Sequence, residues 1–275
     1  MSQFTLFADI AGQVSFDTRG SNRITAAAVA VPTNDVENLR LHVQNWTKWR
    51  DSNDDNASVA IAFLKENVSS VAVASITKDS ESWKPFWESA KSLQKAIVQQ
   101  DRSAAGFVKP GNIVRFTVLD ASIAMALGHA VKIAHRPGIV DYRSRDLIER
   151  TIVCDSDIHG DENVSVFKDS WARNDEHHPR MNKAGFRLIT REVIVTTELQ
   201  EPLLLLADFA AGIAHSALIE NPGRLPLPVP HEQSKRLLQA LMRSGKLVLS
   251  SEPFPLNCEE IFGDVLAEAV RQNAR

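Results

Sequence analysis

Apolar and polar positions alternate over residues 4–9 in a stretch rich in β-formers, and residues 24–31 form a short apolar run ending at Pro32. Gly12 and Gly20 lie between them, so residues 4–31 are predicted to open the chain as an antiparallel hairpin. Val36, Leu39, Val43 and Trp46 fall on one face of a predicted helix that Thr33 or Asn34 can cap. The polar run 51–56, with its three Asp and two Asn, reads as a solvated loop rather than a metal site. Residues 71–76 are β-branched and apolar and predict a buried strand. A helical pattern follows over 80–100, with Trp83, Trp87, Leu93 and Ile97 as its buried stripe.

Further along, residues 115–119 are expected as a strand and Asp120 as the start of an Ala-rich helix ending near His135, before Pro137–Gly138. Residues 151–154 form a compact apolar strand that runs straight into Asp155, and 188–197 predict another. Glu201 and Pro202 open a strongly apolar helix reaching about Ile219. Residues 221–230 hold four prolines and read as a linker, followed by expected helices over 232–244 and 259–272. A hairpin followed by strand–helix alternation predicts an α/β domain with a mixed sheet and flanking helices over 1–220. Residues 221–275 are expected as a proline-marked linker and small helical C-terminal appendage.

Composition narrows the classes. The chain has 275 residues, 44% hydrophobic and 24% charged, with 31 Lys+Arg against 34 Asp+Glu and a net charge of −3. That is globular composition, and it excludes a broadly basic coat for nucleic acid. Cys154 and Cys258 stand far apart, so no disulfide scaffold is expected and a cytoplasmic setting is. The N-terminus lacks a basic stretch, and no apolar run approaches the ~18 residues of a membrane span, so neither a secretory signal nor a membrane partner is expected.

The chemistry concentrates on three acids in apolar company. Asp9 ends the first strand, Asp155 ends a central-looking one, and Asp208 interrupts the most apolar helix. Strand ends converge at a sheet edge, where open α/β folds place ligands, and a helix packed there brings the three together. An unpaired buried carboxylate costs several kcal/mol, so Asp208 must be hydrogen-bonded, paired or metal-bound. Taken alone, Asp208 fits a structural role, bonded to a backbone amide or to Arg191, and Asp155 fits a turn or cap.

Asp157, Asp161 and Glu162 thicken the acidic cluster around Asp155. A calcium loop fails there, because Val166 stands where the bidentate Glu belongs. Carboxylates without Cys or clustered His favour Mg2+ or Mn2+, and paired ions of that kind serve phosphodiester hydrolysis. Arg173, Arg180, Lys183, Arg187 and Arg191 form a local basic strip suited equally to phosphate contacts and to a solvated face. The adjacent His177 and His178 read as a surface pair. His129 and His215 read as satisfied helix residues, and Cys154 as a small buried one.

Together these features resemble the "domain of unknown function 3800" family, whose fold is RNase H-like. The resemblance rests on Asp9-Ile10-Ala11-Gly12 after an opening strand, on the later strand ending in Asp155, and on Ala207-Asp208-Phe209-Ala210-Ala211-Gly212. It spans roughly residues 4–220 and implies a metal-dependent nuclease acting on DNA or RNA. Asp9, Asp155 and Asp208 are then both catalytic residues and Mg2+ or Mn2+ ligands, Asp9 bridging. The family carries Glu where this chain has Ile10, and Gln where it has Leu205, so a further carboxylate is expected from Asp157 or Asp120. The alternative is a catalytically degenerate subunit that binds nucleic acid or a protein partner within a bacterial assembly, defence systems among them. A homo-oligomer fits either reading.

Overall fold

The computed structural model describes residues 2–12, 22–100, 109–134, 146–156, 186–220 and 227–250. Six strands form one mixed sheet: β1 (Ser2–Ala11), β2 (Arg23–Pro32), β3 (Ser70–Thr77), β4 (Asp146–Asp155), β5 (Phe186–Thr196) and β6 (Leu247–Ser250). Their spatial order is β5-β4-β1-β2-β3-β6. The β1–β2 pair is antiparallel, as the hairpin pattern predicts, and so is β2–β3, whereas β1–β4, β4–β5 and β3–β6 are parallel. An antiparallel meander extended by parallel strands beside β1 is an RNase H-like α/β architecture.

Six helices are described: α1 (Val36–Val43), α2 (Asp54–Asn67), α3 (Trp83–Gln100), α4 (Pro110–Ala134), α5 (Leu204–Leu218) and α6 (His231–Arg243). They cover both faces of the sheet, so its central strands are apolar on both sides. One face buries Leu6, Ala8, Ile24, Ala26 and Ala72 against α3 and α4. The other buries Phe7, Ala27, Val29 and Val73 against α1, α2, α5 and α6. Alanine recurs along β2 and β3, and such small side chains let α4 and α5 seat closely on the strands.

Two local expectations are corrected and one strand is added. Residues 115–119 are not a strand but lie inside α4, which starts at Pro110, because burial of Val114, Phe116, Val118 and Leu119 outweighs their β propensity. The run 51–56 is not all loop: Asn53 caps α2, accepting the Asn56 amide at 2.9 Å, and Asp54 and Asp55 occupy the first turn. Leu247–Ser250, unassigned from sequence, pairs with β3 at the sheet edge. Helix α6, expected from the pattern, packs on α5 and α2. The expected helix at 259–272 lies outside the described residues.

Helix α4 is long and apolar enough to cross a membrane by length and composition, and 56% of its most apolar window is buried inside the fold. It packs on β1, β2 and β3, as the core helix of this sheet does.

Candidate active site

Parallel pairing sends β1, β4 and β5 out of the sheet at the same edge. Between β1 and β4 the chain order reverses, since β2 and β3 lie to one side of β1 while β4 and β5 lie to the other. A crevice forms at such a switch point, outside the carboxyl ends of the strands. Asp9 sits one step past the last β1–β4 pair, Ala8 with Cys154, and Asp155 follows Cys154 directly. Strand alternation puts Asp9 on the face of Phe7 and Asp155 on the face of Val153, and both of those residues belong to the α5 side. Asp208 reaches the same edge from α5.

The three acids predicted from sequence therefore line one cleft of ≈ 230 Å³, together with Glu198, Lys48, Arg50 and Arg115. Glu198, two residues beyond β5, is the carboxylate that sequence reasoning missed. Among the described residues neither Asp120, on α4, nor any other acid takes that place in the lining. Asp157 lies outside the described residues.

Three of the four acids have a short polar contact. The Ile10 amide donates to Asp9 Oδ1 at 2.6 Å, and the Trp49 amide donates to Asp208 Oδ2 at 2.6 Å. The ammonium of Lys48 stands 2.6 Å from Glu198 Oε1. Asp155 is only 5% exposed and accepts weakly from Ser156 Oγ at 3.4 Å. The segment after β5 is anchored from outside by Arg40, whose guanidinium grips both oxygens of Glu201 at 3.2 and 2.5 Å.

Gly212, one turn beyond Asp208, has a packing reason to be glycine. A Cβ there would sit 2.3 Å from the Trp49 indole, so only glycine lets that ring lie on the helix and aim its own amide at Asp208. Gly12 has φ +96°, and a Cβ on it would strike the Arg23 carbonyl at 2.3 Å. It turns the chain at the lip of the cleft.

The electrostatics are those of crowded anions. Burial, then Asp208, pushes the Asp9 carboxyl well above its ordinary range, with Asp155 and Glu198 adding to the effect and the Ile10 amide opposing it. Asp208 is raised to about 6 by burial, against the Trp49 amide and Lys48, while Glu198 and Asp155 push it further up. Burial pulls the Lys48 ammonium down, but Glu198 and Asp155 more than offset this and its pKa is raised. Cys154, buried behind Asp9 and Asp155, has its thiol pKa pushed up, which fits an inert core residue.

An all-oxygen carboxylate set with surplus negative charge fits a hard divalent cation in donor chemistry. Among the described residues, no three Asp, Glu, His or Cys side chains form a ready-made coordination set. The acids converge on the cleft while turned toward the donors named above.

Of the basic strip, Arg173, Arg180 and Lys183 lie outside the described residues. Arg187 pairs in register with Leu147 near the start of β4, far from the carboxyl ends of the strands, and Arg191 bonds Glu149 rather than Asp208. Among the described residues, the cations lining the cleft are Lys48, Arg50 and Arg115. His129 and His215 are helix residues: His129 Nδ1 meets Ser70 Oγ at 2.9 Å, and buried His215 Nδ1 meets Thr25 Oγ1 at 3.3 Å. His177 and His178 lie outside the described residues. No family model matches the chain, and no curated protein matches it.

Proposed function

We propose that this chain is a Mg2+- or Mn2+-dependent nuclease that hydrolyses phosphodiester bonds of DNA or RNA. One observation carries the reading: four acids from four separate places in the chain line one cleft at the switch point of the sheet. Asp9, Asp155, Asp208 and Glu198 would hold the ion, Glu198 supplying the carboxylate that Ile10 cannot. When bound, such an ion supplies Lewis acidity toward the phosphodiester and its attacking water. The protein groups do the rest. The Trp49 amide fixes the rotamer of Asp208, Lys48 positions Glu198, and Arg50 and Arg115 on the wall present positive charge to phosphate oxygens. Likeness to the "domain of unknown function 3800" family and a cytoplasmic setting belong to the same proposal.

Ile10 favours a second reading, a subunit that keeps the fold to bind nucleic acid or a protein partner, a second copy included. Its side chain packs against the α3–α4 core and adds no ligand. Cleavage of single- and double-stranded DNA and RNA by the full chain in Mg2+ or Mn2+ separates the two. The nuclease reading expects cleavage that both Asp155→Asn and Asp208→Asn abolish. Undiminished activity in both variants overturns the site. No cleavage and no Mn2+ binding by the unmodified chain selects the binding subunit.

A further inference from the structure

A second pocket, of ≈ 210 Å³, opens beside the carboxylate cleft and is lined by Asn45, Trp46, Thr47, Asn56, Val59 and Phe209. The two are lined by neighbouring residues of the same segments. Thr47 lines one and Lys48 the other, and Phe209 lines one and Asp208 the other. Trp49 of the cleft and Phe209 of the second pocket pack edge to face with ring centroids 5.9 Å apart, which sets the two pockets side by side.

The lining has a particular chemistry. Trp46 is half-buried and held edge-on by Phe63 and Phe209, with ring centroids 5.4 and 5.7 Å away, so an aromatic cluster backs the pocket. Two amides and a hydroxyl edge it, each able to donate and accept. Asn56 Nδ2 touches Thr47 Oγ1 at only 3.4 Å, which leaves most of that hydrogen-bonding capacity directed elsewhere. Aromatic side chains with mixed donors and acceptors at the rim suit a planar heteroaromatic ring better than a sugar, a lipid chain or a bare anion.

Building on the nuclease reading, we infer that this pocket takes an unpaired nucleobase next to the scissile phosphate, which makes the substrate single-stranded nucleic acid. In a duplex the base edges are paired and its faces stacked, so a base enters such a pocket only when it is free of the partner strand. The polar rim reads a base edge, and the aromatic cluster tolerates any base, because every base has a π face.

The test uses the full chain in Mg2+ and three forms of one oligonucleotide: single-stranded, in duplex, and single-stranded with an abasic nucleotide moved one position at a time. The inference expects at least ten-fold preference for the single strand. It also expects one abasic position to lower kcat/KM about ten-fold, the scale of a single base–aromatic stack. An Asn45→Ala/Asn56→Ala double variant, altered only at exposed side chains, should cut with reduced sensitivity to that position while melting as before. Trp46→Phe preserves a ring in the aromatic cluster and serves as the milder control. Equal cleavage of duplex and single strand, indifference to every abasic position, or full sensitivity in the double variant overturns the pocket and leaves the nuclease reading standing. If nothing is cut, the nuclease reading falls. Anisotropy with the same oligonucleotides then decides the pocket alone: base-dependent binding supports it, and base-indifferent or absent binding overturns it.

Discussion

Helices α4 and α5 are built from the same materials. Each is an apolar helix clamped to the sheet, one on either face, and each carries an acid, a glycine and a histidine among its apolar residues. In α4 these are Asp120, Gly128 and His129; in α5 they are Asp208, Gly212 and His215. Their surroundings differ. Nothing lies within 4 Å of a Cβ placed on Gly128, whereas one on Gly212 would enter the Trp49 ring. Asp208 meets three other carboxylates in a cleft whose lining excludes Asp120. A polar residue in an apolar helix thus takes its meaning from the edge of the sheet it reaches.

Exchanging the acids probes this difference most strongly. Asp208→Asn should lower nuclease activity by roughly 100-fold or more, the usual scale when a group at the reacting centre is removed, whereas Asp120→Asn should stay within about two-fold of the unmodified chain. Equal losses in the two variants, measured as initial rates, would erase the functional contrast between the helices.

Stability against pH sharpens it next. Asp208 is raised from 3.8 to about 6 in the fold, chiefly by burial, so the folded state binds the extra proton. That contribution is complete below about pH 4 and is lost as pH rises through 6, a penalty at neutral pH of up to about 3 kcal/mol. Asp9 acts with the same sign. His215 opposes them. Burial, then Arg23 and Lys78, lowers it from 6.5 to about 4, so its contribution is present above about pH 6.5 and lost as pH falls toward 4. Urea midpoints between pH 4 and 7.5, without divalent ions, should show Asp208→Asn and His215→Gln changing the slope in opposite directions. Added Mg2+ should raise the neutral-pH midpoint of the unmodified chain and not that of Asp208→Asn. Parallel slopes in the two variants would refute the crowded-anion picture.

The glycines give the smallest effect. Gly212→Ala should destabilise the fold by about 1–3 kcal/mol through overpacking against Trp49, while Gly128→Ala should stabilise it by roughly 0.5–1 kcal/mol through helix propensity. Urea unfolding of the pair checks both signs.

Much of this architecture was legible in the order of residues, and the reasons are local. Strands β1 to β5 announce themselves by alternation or β-branched runs. Asp9 and Asp155 stand out because each ends an apolar strand, and Asp208 because an apolar helix does not otherwise tolerate it. Glu198 had no such signal. It stands in a polar turn, Thr197-Glu198-Leu199-Gln200-Glu201, where an acid is unremarked, and only the parallel placement of β5 beside β4 brings it to the cleft. Helix α4 misled in its first turns because Val114, Thr117 and Val118 favour strands until two-sided burial overrides them. Strand β6 is four residues long and exists because the edge of β3 offers it hydrogen bonds.

By itself, then, the sequence determined an α/β chain, a hairpin start, and three acids too costly to bury without purpose, because periodicity and the desolvation of charge are read along the chain. Which acids share a cleft was decided by tertiary structure. So were the fourth carboxylate, the placing of Lys48, Arg50 and Arg115 in the cleft lining, and the aromatic pocket beside them. Those depend on strand order and on which helix end crosses the sheet edge, and residues far apart in the chain acquire neighbours only when the sheet closes.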